Sequence, residues 1–105
     1  MELQPPANPH TLSLRIRYMK DQTIKEITIS ELKSVKELKE TYLKIINKEN
    51  SITRIFSKGR ELLDNFPLYN YELFDGITMV AQILLWKDVI DVYLSFGINN
   101  YFLIK

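Results

Sequence analysis

Apolar and polar residues alternate in Leu12-Ser-Leu-Arg-Ile-Arg-Tyr18. A strand here buries Leu12, Leu14, Ile16 and Tyr18 on one face and turns Arg15 and Arg17 to the other. Met19-Lys-Asp-Gln22 is polar enough to turn, and Ile27-Thr-Ile29 resumes the alternation, which predicts a hairpin. Ile24 is out of phase with Ile27 and Ile29, so a bulge or register change is expected near Lys25. Ser34 followed at the third position by Glu37 has the form of a capping box, in which each side chain satisfies a backbone N–H at a helix start. Val35, Leu38, Tyr42 and Ile45 or Ile46 then recur at steps of three and four, one apolar stripe to lay across a sheet. Asn47-Lys-Glu-Asn50 breaks that pattern. Ile55 to Leu62 holds Gly59 between two basic residues, where a residue without Cβ can take a positive φ in a tight turn. Asp75-Gly76 is a second turn signal and leads into the apolar strand Thr78-Met-Val-Ala-Gln-Ile83.

The order strand, strand, helix, strand, short strand or turn, strand predicts an α+β fold of the β-grasp type, a mixed sheet with one helix packed across it. The 105 residues suit one domain with a single core. A hydrophobic share of 46% beside 26% charged residues is that of a globular chain rather than a disordered one. The expected division is a Pro-rich arm over 1–11, the domain over 12–85 and an apolar extension over 86–105.

Chemistry is sparse. The absence of cysteine excludes disulfides and thiol catalysis. His10, the single histidine, lies in the Pro-rich start and reads as an exposed loop residue rather than a base or ligand. Gly59, Gly76 and Gly97 are too far apart for a phosphate loop, and no pair of carboxylates stands out as acid and base. The reading is a non-enzyme with no cofactor, metal or small-molecule substrate. A net charge of +1 supplies no footprint for nucleic acid.

Three stretches carry a family resemblance: Ser34-Val-Lys-Glu37, Arg54-Ile-Phe-Ser-Lys-Gly-Arg-Glu-Leu-Leu-Asp64 and Leu68-Tyr-Asn-Tyr-Glu-Leu-Phe-Asp-Gly-Ile-Thr-Met79. In order and spacing, from Ser34 to Ile83 without a gap, the chain resembles ubiquitin. The resemblance puts Ser34 at the helix cap, and Val35, Leu38, Tyr42, Ile55, Leu62, Leu68, Leu73, Met79 and Ala81 in the core. It also puts Tyr71 at the buried loop tyrosine, and Lys39 with Asp64 at a buried ion pair. Phe56 falls where the family's best-known contact surface has an isoleucine, while its flanking histidine and valine are here Val80 and Gln82. A binding face is therefore expected at Phe56 and Val80, ringed by Arg15, Arg17, Arg54 and Arg60, an apolar centre within a polar rim.

The family's covalent role needs a C-terminal Gly-Gly, and at the matching positions this chain reads Leu84-Leu-Trp-Lys-Asp88. Arg60 takes the place of the lysine most used for chain linkage, so the resemblance implies no conjugation. The stretch after Leu85 is too apolar for a free tail. Trp86, Ile90, Tyr93 and Leu94 can share a helical face with Asp88 as N-cap and Gly97 as stop. The apolar run is interrupted too often to span a bilayer. The expectation is docking into a protein assembly, because a small β-grasp domain has little spare apolar surface; resting on a membrane surface is the alternative. The start of the chain has neither an apolar leader nor an Arg-rich amphipathic helix, so cytosol or nucleus is the default compartment, with an organellar or membrane-associated complex as alternative. Taken together, the chain reads as a non-conjugatable ubiquitin-like interaction module and an accessory subunit of a larger complex. The competing readings are a membrane-associated ubiquitin-like adaptor and a β-grasp domain that pairs strand edges with a small GTPase.

Overall fold

The structure, a computed structural model, describes residues 4–85. Strands β1 (Thr11–Tyr18) and β2 (Ile24–Ser30) are followed by helix α1 (Val35–Ile45), strand β3 (Ser51–Ser57) and a two-residue strand β4 (Arg60–Glu61). A 3₁₀ turn at Leu68–Tyr71 then leads to strand β5 (Thr78–Leu85). The sheet runs β2-β1-β5-β3-β4. β5 lies between β1, to which it is parallel, and β3, to which it is antiparallel. This is the β-grasp arrangement that the order of elements predicts.

The alternation in β1 sends Leu12, Leu14 and Ile16 into the core, where Ile27, Met79, Ala81 and Ile55 from the neighbouring strands meet them. Val35, Leu38, Tyr42 and Leu43 close that core from α1. Ile46 packs at its edge, and Ile45 turns outward. The helix starts as its sequence dictates: the Ser34 N–H donates to Glu37 Oε2 at 2.8 Å, and the Glu37 N–H donates to Ser34 Oγ at 3.1 Å. Glu37 is held below the ordinary carboxylate value, chiefly by that bond from the Ser34 backbone.

The expected bulge near Lys25 does not form. Pairing runs without interruption from Arg17 opposite Ile24 to Thr11 opposite Ser30. Ile24 is out of phase because it faces the other side of the sheet. The turn before it is closed by Asp21, whose Oδ1 accepts the Thr23 N–H at 2.9 Å. At the β3–β4 turn Lys58 and Gly59 both take positive φ, 52° and 78°, the combination that suits a two-residue hairpin loop. The Asp75-Gly76 turn is clamped to β1: Asp75 Oδ1 accepts the Ser13 N–H, and the Gly76 N–H donates to the Ser13 carbonyl, each at 2.8 Å.

One further expectation changes. Lys39 and Asp64 do pair, but the Asp64 side chain is 52% exposed against 14% for Lys39, so the pair sits at the rim of the core rather than inside it. His10 has a partner in Glu31, whose Oε2 lies 3.1 Å from Nδ1, and the Glu31 N–H donates to the His10 carbonyl at 3.0 Å. That pair ties the Pro-rich arm to the end of β2; the ring remains on the surface.

Candidate protein-binding face

α1 covers one side of the sheet and leaves the other open among the described residues. On the open side, one row of residues crosses all five strands. Ile24 lies opposite Arg17, Arg17 opposite Val80, Val80 opposite Phe56, and Phe56 opposite Glu61. Adjacent rows place Glu26, Arg15 and Thr78 on one side, and Arg54 with Gln82, then Ile52 with Leu84, on the other. Period-two alternation makes this arrangement: on β1 and β3 the residues between them, Ile16, Thr53 and Ile55, are buried, as are Met79 and Ala81 on β5.

Phe56 is half-buried and lies beneath Arg54, whose guanidinium carbon is 5.1 Å from the ring centroid. Glu61 fixes that guanidinium with two parallel bonds, from Nε at 3.0 Å and from Nη2 at 2.9 Å. These bonds hold the Glu61 carboxyl below its ordinary value and raise Arg54. Arg54 is thus neutralised within the domain. Arg15 and Arg17 are not: neither forms an ion pair with a described carboxylate. Their Nε atoms are enclosed and lack a hydrogen-bond partner among the described residues.

The expected ring around Phe56 is therefore only partly assembled. Arg15, Arg17 and Arg54 share the face with Phe56 and Val80, but Arg60 does not join them. It pairs with Ser57, which is buried on the helix side, and its guanidinium lies 5.0 Å from the Tyr71 centroid. Its place beside Phe56 is taken by Glu61, a residue that the sequence pattern did not single out. The signal was present: with Lys58-Gly59 as a two-residue loop, Ser57 must oppose Arg60 and Phe56 must oppose Glu61. Trp86, Ile90, Tyr93 and Leu94 lie outside the described residues. Ile24 and Leu84 are each 40% exposed on this face, beside half-buried Ile52, Phe56 and Val80.

A cleft of about 260 Å³ opens between the β1–β2 turn and the end of α1, lined by Tyr18, Asp21, Lys25, Tyr42 and Lys48 among others. Burial, with smaller effects of Asp21 and Tyr18, pushes the Tyr42 phenol up to about 12, which keeps it neutral and makes it a hydrogen-bonding group rather than a base. No cluster of three metal-ligating side chains occurs among the described residues. The open face offers chemistry for recognition: an aromatic centre, flanking aliphatics and two unneutralised guanidinium groups.

No protein-family model and no curated protein matches the sequence. Solved structures do match. Ubiquitin of Caldiarchaeum subterraneum superposes with a TM-score of 0.63 at 18% identity, over 71% of this chain and 95% of that one. The ubiquitin-like domain of Plasmodium falciparum Dsk2 gives 0.62 at 22% identity, over 71% of this chain and all of that one. The chain has a ubiquitin-like fold. The C-terminal ubiquitin-like domain of the human 2'-5'-oligoadenylate synthetase-like protein also matches, at 0.62 with 13% identity, over 77% of this chain and 90% of that one. Within the ubiquitin-like fold, the Phe56–Val80 row occupies the middle of the sheet surface left bare by the helix. Among the described residues no helix is long and apolar enough to cross a membrane.

Proposed function

We propose that this ubiquitin-like domain is a non-catalytic, non-conjugatable interaction module that binds a protein partner through the open face of its sheet, as an accessory subunit of a larger assembly. The observation that carries the reading is the row Ile24, Val80 and Phe56, apolar and partly exposed, beside Arg15 and Arg17, which have no carboxylate partner in the described domain. Apolar centres with charged rims are the common anatomy of protein interfaces. The partner this face suits presents an apolar anchor to Phe56 and Val80 and carboxylates to the arginines.

Two features support the non-conjugatable part of the reading. Leu84-Leu-Trp-Lys-Asp88 puts bulky side chains where an activating enzyme needs glycine, and Arg60 has no amine for an isopeptide bond. Edge pairing with a GTPase has less support, because Lys25 and Glu26 stand side by side on β2 and offer no net charge to an acidic surface.

The test is recovery of native partners on full-length chain and on Arg17→Glu and Val80→Lys variants, neither of which alters a core side chain. Wild type should retain a defined set of proteins that both variants lose while keeping the wild-type melting temperature within a few degrees. Equal recovery by all three would leave the open face a solvated surface.

A further inference from the structure

We infer that two copies of this chain join edge to edge through β2, antiparallel and centred on Thr28, so that their sheets become one. β2 is an outer strand of the sheet, seven residues long, without proline and without a bulge, whereas the opposite edge is the two-residue β4. An open edge of that length is a ready template for another strand. The Tyr18 N–H donates to the Thr23 carbonyl at 2.8 Å, and the Glu31 N–H donates to the His10 carbonyl at 3.0 Å. The direction of bonding alternates along an antiparallel ladder, so Lys25, Ile27 and Ile29 bond to β1 while Ile24, Glu26 and Thr28 turn their N–H and C=O groups outward. Among the described residues nothing bonds to those outward groups.

The sequence of the edge selects a second copy as its occupant. Ile24-Lys-Glu-Ile-Thr-Ile-Ser-Glu-Leu32 reads nearly alike in both directions about Thr28. A two-fold axis through that residue sets Thr28 against Thr28, Ile27 against Ile29, Glu26 against Ser30 and Lys25 against Glu31 of the other copy. Both members of each pair share a face of the sheet, as strand pairing requires. Aliphatic residues meet aliphatic ones and an ammonium meets a carboxylate, the cross-strand pairs that stabilise a sheet. Lys25 has no ion pair among the described residues, and His10 engages only Oε2 of Glu31. An axis through Glu26 would oppose that carboxylate to itself, and one through Ile27 would leave Lys25 against Ile29, so the register is specified. The seam ends with Ile24 near Leu32 of the other copy, 40% and 49% exposed in the single chain. Because the axis is perpendicular to the sheet, both helices lie on one side of the joined sheet and both open faces on the other. A single seam buries less than about 1,200 Å² in total, the size of weak contacts, so the pairing depends on concentration. Two open faces on one side make the dimer bivalent toward any partner with two matching sites. The inference rests on the edge alone and stands whether or not the open face binds a protein.

Sedimentation equilibrium of the full-length chain over a wide range of concentration should fit a monomer in exchange with a dimer. The amide signals of Ile24, Glu26 and Thr28 should move with concentration, and those of Arg60 and Glu61 on the opposite edge should not. Lys25→Glu opposes two carboxylates across the axis and Glu31→Lys opposes two ammoniums, so each should weaken the dimer by about tenfold or more. Mixed in equal amounts the two variants should pair again, because each copy then meets the opposite charge at both contacts. Thr28→Pro removes an outward N–H from the centre of the seam, leaves the ladder to β1 intact and should weaken the dimer as strongly. Circular dichroism confirms that each variant is folded; should Glu31→Lys unfold with the loss of its His10 contact, Lys25→Glu and Thr28→Pro decide. A chain that stays monomeric, a dimer indifferent to Lys25→Glu and Thr28→Pro, or folded charge variants that do not recombine would overturn the inference.

Discussion

Replacing Lys39 by alanine tests how far the ion pair at the rim of the core is removed from water. Its ammonium meets the Asp64 carboxylate, and the Lys36 N–H also donates to the Asp64 carbonyl at 3.3 Å, so the loop segment around Asp64 is held to the first turns of α1. A fully enclosed pair that loses one partner costs about 3–5 kcal/mol. A fully solvated one costs about 0–1 kcal/mol. With Lys39 at 14% and Asp64 at 52% exposure, the remaining carboxylate in Lys39→Ala is hydrated, and what is lost is a half-screened attraction plus the packing of the lysine stem. The expected cost is about 1–2 kcal/mol, between those limits. For a domain of this size that lowers the melting temperature by about 5–15 °C. Lys36→Ala, which removes an exposed side chain from the same helix, should stay within about 0.5 kcal/mol. Thermal unfolding by circular dichroism, with Asp64→Asn and the double variant completing a cycle, measures the coupling directly. Equal effects for Lys39→Ala and Lys36→Ala would show that the contact contributes nothing, and a loss above about 3 kcal/mol would show that the site is as insulated as a buried pair.

Ser34→Ala removes the acceptor for the Glu37 N–H and should cost about 0.5–2 kcal/mol in denaturant unfolding; an unchanged midpoint would show that the cap is dispensable. Gly76→Ala meets no atom within 4 Å yet must hold φ at 85°, so it should destabilise by about 1 kcal/mol through backbone strain alone, and a neutral result would refute that. Glu61 and Glu37 are both held below the ordinary value of 4.5. Their contribution is therefore present above that pH and is lost as pH falls through the lower folded values. Titration followed by NMR should show a depressed Glu61 midpoint that returns to the ordinary value in Arg54→Ala; an unmoved midpoint would separate the titration from the ion pair. Truncation after Leu85 should leave a cooperatively unfolding domain, since the core from Leu12 to Ala81 is complete among the described residues, and failure to fold would make the segment part of that core.

The local code in this chain is strong. Alternation in Leu12–Tyr18, the Ser34/Glu37 box, the apolar stripe of α1 and the glycines at 59 and 76 each specify their element through contacts a few residues long, and the elements appear where those contacts put them. The family resemblance added the connection between them, down to Tyr71, whose hydroxyl accepts the Leu63 N–H at 2.9 Å. The arrangement across the sheet was harder to read, because a side chain's neighbours there come from strands distant in sequence. Ile24 looked like a register fault until β1 showed which face it shares with Arg17. Arg60 looked like part of the rim around Phe56 until the two-residue turn rotated it toward Tyr71 and set Glu61 in its place. The Lys39–Asp64 pair was legible as a pair, but its depth was not. Alternation and capping are set by backbone geometry within one element; exposure and charge pairing are set by which elements pack together and how closely, here by the pairing of β1 with β2, of β3 with β4, and of α1 with the loop that holds Asp64.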